Sequence, residues 1–321
     1  MQSLIPRFDF ERIILDPWTT DFTGFIWIVV MGFLVTAACG LIGSFLVLRR
    51  MALVGDAISH SILPGIAIAF LLTGTRSSGV MFLGALVAGI LTTILIELIH
   101  GKSRIKQDAA IGIVFSTLFA IGVILISLYA GQVDLDTDCV LYGEISFVVL
   151  EPLVKIGGVP IAPEPVFTMG IVAIATGLLV LIFYKELLVS SFDPGLAASL
   201  GINPRVMHYA LMCGLSVVVV SAFRSVGAII VIAMLILPGA TAYLLTHRLP
   251  MMLSLSVVHS ALSAVLGLHL GIWLDCSMAG AMVVAGGGLF VLAWLFNHDR
   301  GLVWQIFLRR NKALIVERTE T

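Results

Sequence analysis

Asp56 and His60 stand four residues apart in LRRMALVGDAISHSILPG, the stretch from Leu48 to Gly65, which is otherwise apolar enough to cross a membrane. On a helix, residues at this spacing share one face, so a carboxylate and an imidazole point the same way, one turn apart. Ionisable groups inside a membrane segment are costly and mark the path of an ion, a proton or a polar substrate. Mixed carboxylate and imidazole donors suit Mn(II), Fe(II) or Zn(II) better than K⁺ or Ca²⁺. One chain offers two such donors; two chains facing each other would supply two aspartates and two histidines. The competing reading makes Asp56 a first-turn residue favoured by the helix dipole and His60 a hydrogen-bonded packing residue. Pro64 and Gly65 weigh toward the metal reading. A proline there frees the carbonyl of His60, which membranes tolerate where it finds a partner or lines a watery cavity. Pro64 and Gly65 are therefore candidates for a pore wall.

The rest of the chain must position that pair inside a bilayer. Of 321 residues, 60% are hydrophobic and 12% charged, and the mean hydropathy is +1.12. A soluble domain carries about twice that charge, so the expected class is all-α and polytopic in the membrane. Spans of about 17–25 apolar residues are expected at Gly24–Leu48, Val54–Leu72, Gly79–Ile99, Ala109–Ala130, Val166–Tyr184, Val206–Phe223, Val226–Thr246, Met252–Trp273 and Met278–Phe296. Nine is the expected number. Eight remains open, because the sixth is short and its junction with the seventh, at Arg224, suits a hairpin or a broken helix. Residues 1–23 then form an extracytoplasmic segment with Phe8, Trp18 and Phe22 along the interface and without the pattern of a cleaved signal peptide. Residues 24–296 form the membrane domain, and 297–321 a basic, amphipathic tail on the inner surface.

Orientation follows from Lys and Arg, which gather on the cytoplasmic side. With the loop after the first span inside, that side holds Arg49, Arg50, Lys102, Arg104, Lys106, Lys185, Arg205, Arg248 and the cations of the tail. The other side holds Arg7, Arg12, Arg76, Lys155 and Arg224, together with the acidic run Asp134, Asp136, Asp138, Glu144, Glu151 and Glu164. The N-terminus is therefore expected outside and the C-terminus in the cytoplasm. Asp56 then lies near the cytoplasmic end of its span, with His60 about one turn, roughly 5 Å, deeper.

Between Lys185 and Arg205, Asp193-Pro194 reads as an N-cap followed by proline at the first helical position, and Gly201 as a helix-ending residue. The result is a short helix with Leu196, Ala197 and Leu200 on an apolar side. It either rests on the membrane surface or docks into another protein. In Val226–Thr246, Gly227, Pro238 and Gly239 serve either close helix packing or a pore wall. Gly101-Lys102-Ser103 mimics the end of a phosphate-binding loop, but Ile96 stands where the earlier glycine is required. No nucleotide site, catalytic residue, permanently bound cofactor or nucleic-acid surface is expected, so any ATP must act through a partner. His259 and His269 could add ligands, although ten residues apart they lie on different parts of a helix. His100, His208, His247 and His298 sit at inner span ends and read as structural. The cysteines Cys39, Cys139, Cys213 and Cys276 show no metal-binding spacing, and a Cys139–Cys276 bridge is not favoured.

GSFLVLRRMALVGDAISHSILPGIAIAFLL closely resembles the signature stretch of membrane permeases from bacterial ATP-binding-cassette importers of manganese, zinc and iron. QDAAIGIVFSTLFAIGVILIS, FDPGLAASLGI, VGAIIVIAMLILPGATAYLLT and Asp275 follow in matching order, so the resemblance covers Phe25 to Phe296. It implies a bacterial cytoplasmic-membrane protein that pairs with a second permease subunit, itself or a paralogue. It also implies a cytoplasmic ATPase dimer and an extracytoplasmic metal-binding protein as partners. Asp56 and His60 match the family's metal site. Asp193, Pro194, Leu196, Ala197, Leu200 and Gly201 match its coupling helix. The Leu-Pro-Gly after His60 leans toward the manganese and iron branch over zinc. The longer N-terminus, the basic tail, His259 and His269 depart from the pattern. Two other readings stay open: a permease for ferric siderophores or cobalamin, which needs no metal ligands, and a proton-coupled secondary transporter using Asp56 and His60 as a relay.

Overall fold

The computed structural model describes residues 6, 8–75, 77–129, 144–297 and 301. Among them, nine helical stretches are long and apolar enough to cross a membrane, matching the expected number. After a π-helical turn at Glu11–Leu15 and a short helix α1 (Asp16–Thr19), the first of these is α2 (Phe22–Leu48). The second is broken into α3 (Leu53–Ser61) and α4 (Leu63–Thr73), which meet at Ile62 just before Pro64. Then come α5 (Ser78–Lys102), α6 (Gln107–Tyr129) and α7 (Glu164–Ile182). Two short helices, α8 (Tyr184–Phe192) and α9 (Pro194–Ser199), precede α10 (Pro204–Val226), α11 (Ala228–Leu245), α12 (Leu249–Leu274) and α13 (Met278–Phe296).

α2 is the axis of the bundle, packed against α7, α11 and α12. Without a hydrophobic drive between helices in lipid, close approach depends on small residues, and the contacts here follow that rule. A Cβ on Gly43 would overlap the Leu235 carbonyl, one on Gly40 would lie 2.9 Å from Pro238 Cβ, and one on Gly239 3.0 Å from Ser44 Cα. Gly65 and Gly84 likewise bring α4 and α5 backbone to backbone, and Gly122 of α6 faces Pro64. Thus Pro64, Gly65, Pro238 and Gly239, read from sequence as pore-wall candidates, each stand at a helix–helix contact within the chain. Buried hydroxyls find partners in their own helix: those of Thr36, Ser44, Ser59 and Ser61 donate to the carbonyl one turn back at 2.6–2.9 Å.

The sixth and seventh spans meet at one residue. Gly227 has φ +83°, a backbone state open to glycine and strained for L side chains, and it separates buried Val226 from buried Ala228. The junction is a break, and both halves keep span length. Alongside the helices, a 3₁₀ turn (Ile145–Leu150) leads into a hairpin, β1 (Leu153–Ile156) paired antiparallel with β2 (Val159–Pro163). Its two-residue loop, Gly157-Gly158, has positive φ at both positions, as the right-handed twist of a hairpin favours.

The segment before α2 is tied to α12: His269 Nδ1 donates to the Ile13 carbonyl at 2.9 Å, and Trp273 Nε1 to the Pro6 carbonyl at 3.1 Å. Cys276 is a free, exposed thiol, while Cys139, the acidic residues Asp134, Asp136 and Asp138, and residues 302–321 of the tail lie outside the described residues.

Gly43→Ala should lower the thermal unfolding temperature of the detergent-solubilised protein, because overpacking against a backbone carbonyl costs about 1–3 kcal/mol. Gly177→Ala, on an open face of α7 with nothing within 4 Å, should leave it unchanged or raised.

Candidate metal path and docking helix

α3 is amphipathic in an unusual sense: beyond its exposed first residue, Leu53, its apolar and small residues are buried, and its two ionisable ones are left open. Val54, Gly55, Ala57, Ile58, Ser59 and Ser61 all turn into the bundle. That burial fixes the rotation of α3 and leaves Asp56 in its first turn and His60 in its last on the remaining face. His60 Nε2 lies 3.3 Å from Asp56 Oδ1. The side chains stay 27% and 38% exposed respectively, so both can still meet a ligand that approaches from beyond this chain. α6 supplies the apolar wall. The rings of Phe115 and Phe119 each stand 6.0 Å from the His60 ring, centroid to centroid, and neither was singled out from sequence. Among the described residues, no third His, Cys, Asp or Glu joins Asp56 and His60 in a metal-sized group. The pair brings an oxygen and a nitrogen donor, fitting a borderline divalent cation that obtains its other ligands elsewhere.

The two histidines of α12 lie in separate surroundings. His259 is buried beside Gly286 and borders a cavity lined by Thr241 of α11 and Leu289 and Ala293 of α13; its Nε2 has no hydrogen-bond partner among the described residues. His269 is spent on Ile13, in contact with Trp18.

The short helix foreseen between the fifth and sixth spans is α9. Asp193 Oδ1 accepts from the Leu196 amide at 2.9 Å, which is the N-cap, and Pro194 opens the helix. The Ile202 amide closes back on the Ala197 carbonyl at 2.9 Å, a return made possible by Gly201 at φ +82°. Ala197 is buried against the body of the protein, whereas Leu196 and Leu200 stay exposed with Phe192 beside them. Sequence patterning missed α8, the helix that carries α9, because Lys185 and Glu186 made the segment look like a polar connection.

A second polar cluster lies where α2, α5, α8 and α10 meet. Arg49, the C-cap of α2, donates from Nε to Ser191 Oγ at 3.0 Å and from Nη2 to Ser190 Oγ at 3.1 Å. Its Nη1 faces His208 Nδ1 at 3.4 Å, and His208 Nε2 faces Glu97 Oε2 at 3.1 Å. A guanidinium has only donors, so Nδ1 is the acceptor and Nε2–H donates to the carboxylate. Burial pushes the Arg49 pKa down from its ordinary value, yet an arginine keeps its charge. The signal for this cluster was present in Glu97, an ionisable residue inside an expected span.

Among the described residues, nine membrane-length helical stretches define a multi-pass membrane protein, and it carries an open Asp–His pair and a short capped helix between spans. The chain belongs to the ABC 3 transport family, whose model matches residues 21–297. It is 47% identical over 277 residues to the manganese transport system membrane protein MntD of Bacillus subtilis, covering 86% of this chain and 93% of that one. It is 45% identical over 284 residues to the zinc transport system membrane protein TroD of Treponema pallidum, covering 88% and 77%. Among solved structures, PsaBC from Streptococcus pneumoniae in complex with Fab matches with TM-score 0.73 and 36% identity, over 89% of this chain and 96% of that chain.

Asp193→Ala should remove the cap of α9, worth about 1 kcal/mol, and speed hydrogen exchange at the Leu196 amide. Asp193→Asn, which keeps an acceptor oxygen, should restore slow exchange.

Proposed function

We propose that this chain is the permease subunit of an ATP-driven importer moving a divalent transition metal, manganese first and then iron or zinc, across the bacterial cytoplasmic membrane. The observation that carries the reading is the Asp56–His60 pair, 3.3 Å apart, partly exposed and walled by Phe115 and Phe119. The metal is the cargo, so its ligands must release what they admit. Two donors from one chain leave it underliganded, and the same pair on a second permease subunit, a copy or a paralogue, brings the set to the about four ligands of a closed first-row site. The relatives named for manganese and zinc transport support this class of cargo.

In this reading the N-terminus is outside and the C-terminus is in the cytoplasm, as the Lys and Arg distribution favours. An extracytoplasmic binding protein delivers the metal, and a cytoplasmic ATPase dimer drives alternating access. α9 is the element the ATPase receives: the exposed Leu196 and Leu200 form the contact, and buried Ala197 anchors it to this chain. Pro64, Gly65, Gly227, Pro238 and Gly239 lie at breaks and close contacts, where small residues let helices shift without opening gaps.

In cells that depend on this importer, Asp56→Ala and His60→Ala should each cut manganese accumulation to the level of a strain lacking the protein, at unchanged membrane abundance. Normal accumulation in both variants would overturn the site. Transport by the purified permease in vesicles without any ATPase would instead support a proton-coupled carrier.

A further inference from the structure

We infer that Arg49 is the positioning residue that transmits movement of the ATPase-docking helix to the helix bearing Asp56 and His60. The inference rests on the proposed ATP-driven reading. Its physical ground is that one guanidinium joins the two parts at their ends.

On the docking side, α8 and α9 share Asp193. Its amide bonds the Val189 carbonyl at 2.9 Å, ending α8, and its side chain and carbonyl start α9 through Leu196 at 2.9 Å and Ala197 at 3.0 Å. A shift of α9 therefore pulls on the last turn of α8, where Ser190 and Ser191 hold Arg49. On the metal side, the Arg49 amide is bonded to the Phe45 carbonyl at 3.0 Å, so its backbone belongs to the rigid end of α2. The turn into α3 is tight: Arg50 adopts φ +59°, the Met51 amide returns to the Leu46 carbonyl at 2.9 Å, and the Val54 amide reaches the Met51 carbonyl at 3.2 Å. Asp56 follows two residues later. The third branch runs through His208 to Glu97 on α5, which packs against both α3 and α4.

The chemistry suits a moving joint. A planar guanidinium holds acceptors in several fixed directions at once, which a lysine ammonium cannot reproduce. Its direct partners are two hydroxyls and an imidazole, so its bonds can break and re-form without separating a buried ion pair, the step that would cost most. A purely static brace would predict that loss of Arg49 lowers hydrolysis and transport together.

The test uses the complete transporter, two permease subunits with their ATPases, in proteoliposomes, with ATP hydrolysis and Mn(II) uptake measured on the same sample. Arg49→Ala should keep hydrolysis within about two-fold while manganese moved per ATP falls at least about ten-fold, the range of ordinary site-to-site coupling. The double variant Ser190→Ala, Ser191→Ala, which deletes only two hydroxyls, should shift the ratio the same way, and Arg49→Lys should recover part of it. An unchanged ratio in both Arg49→Ala and the double variant would overturn the inference, as would equal loss of hydrolysis and uptake in the double variant. A wild-type complex that hydrolyses ATP but moves no manganese, iron or zinc would overturn the functional reading itself, and the inference with it.

Discussion

In hydrocarbon no water completes the hydrogen bonding of a polar group, and the fold is organised around that lack. Backbone amides are satisfied within helices, the common solution for a membrane-spanning chain. Buried serines and threonines return their hydroxyl protons to the carbonyl one turn back, as Ser59 and Ser61 do on α3 itself. Glycines then let such helices approach until backbone meets backbone, at Gly43 and Leu235 and at Gly65 and Gly84. Polar groups that escape this economy stand out. Among the described residues they include the Asp56–His60 pair, the Arg49–His208–Glu97 cluster and the imidazole of His259.

The first two of these differ in a way that bears on function. Arg49, His208 and Glu97 are satisfied by one another and by two serines, all within the chain. Asp56 and His60 touch each other but keep one side open, against a wall of phenylalanine. A closed polar cluster holds helices in a relation to each other, whereas an open one leaves its donor atoms accessible. Burial of the opposite face of α3 keeps Asp56 and His60 turned outward, so the site depends on the helices packed against α3, among them α5, α10 and α11.

Much of this was legible in the residues. Periodicity-free apolar runs marked the spans to within a few residues, because membrane length is set by the bilayer and by 1.5 Å per residue. Asp56 and His60 announced themselves by charge in an oily segment, and α9 by Asp193, Pro194 and Gly201, whose capping chemistry is local. The break at Gly227 was half visible, since the tight junction at Arg224 already suited a broken helix. The hairpin after the 3₁₀ turn was missed although Gly157-Gly158 between short β-branched runs carries the signal. α8 was missed because two charges hid a helix whose apolar side faces its neighbours.

What the sequence alone determined is therefore what depends on neighbours in the chain: span count, the cap of α9, and the shared face of Asp56 and His60 at one-turn spacing. Tertiary structure decided what depends on helices far apart in sequence. Pro64 and Gly65, chosen for a pore wall, stand against Gly122 and Gly84, and Pro238 stands against Gly40. His208, read only as structural at an inner span end, is the link between Arg49 and Glu97. The reason is one of range. Capping, turn chemistry and hydropathy act within a few residues, whereas a hydrogen bond from α2 to α8 spans 142 positions and exists only once the helices have packed.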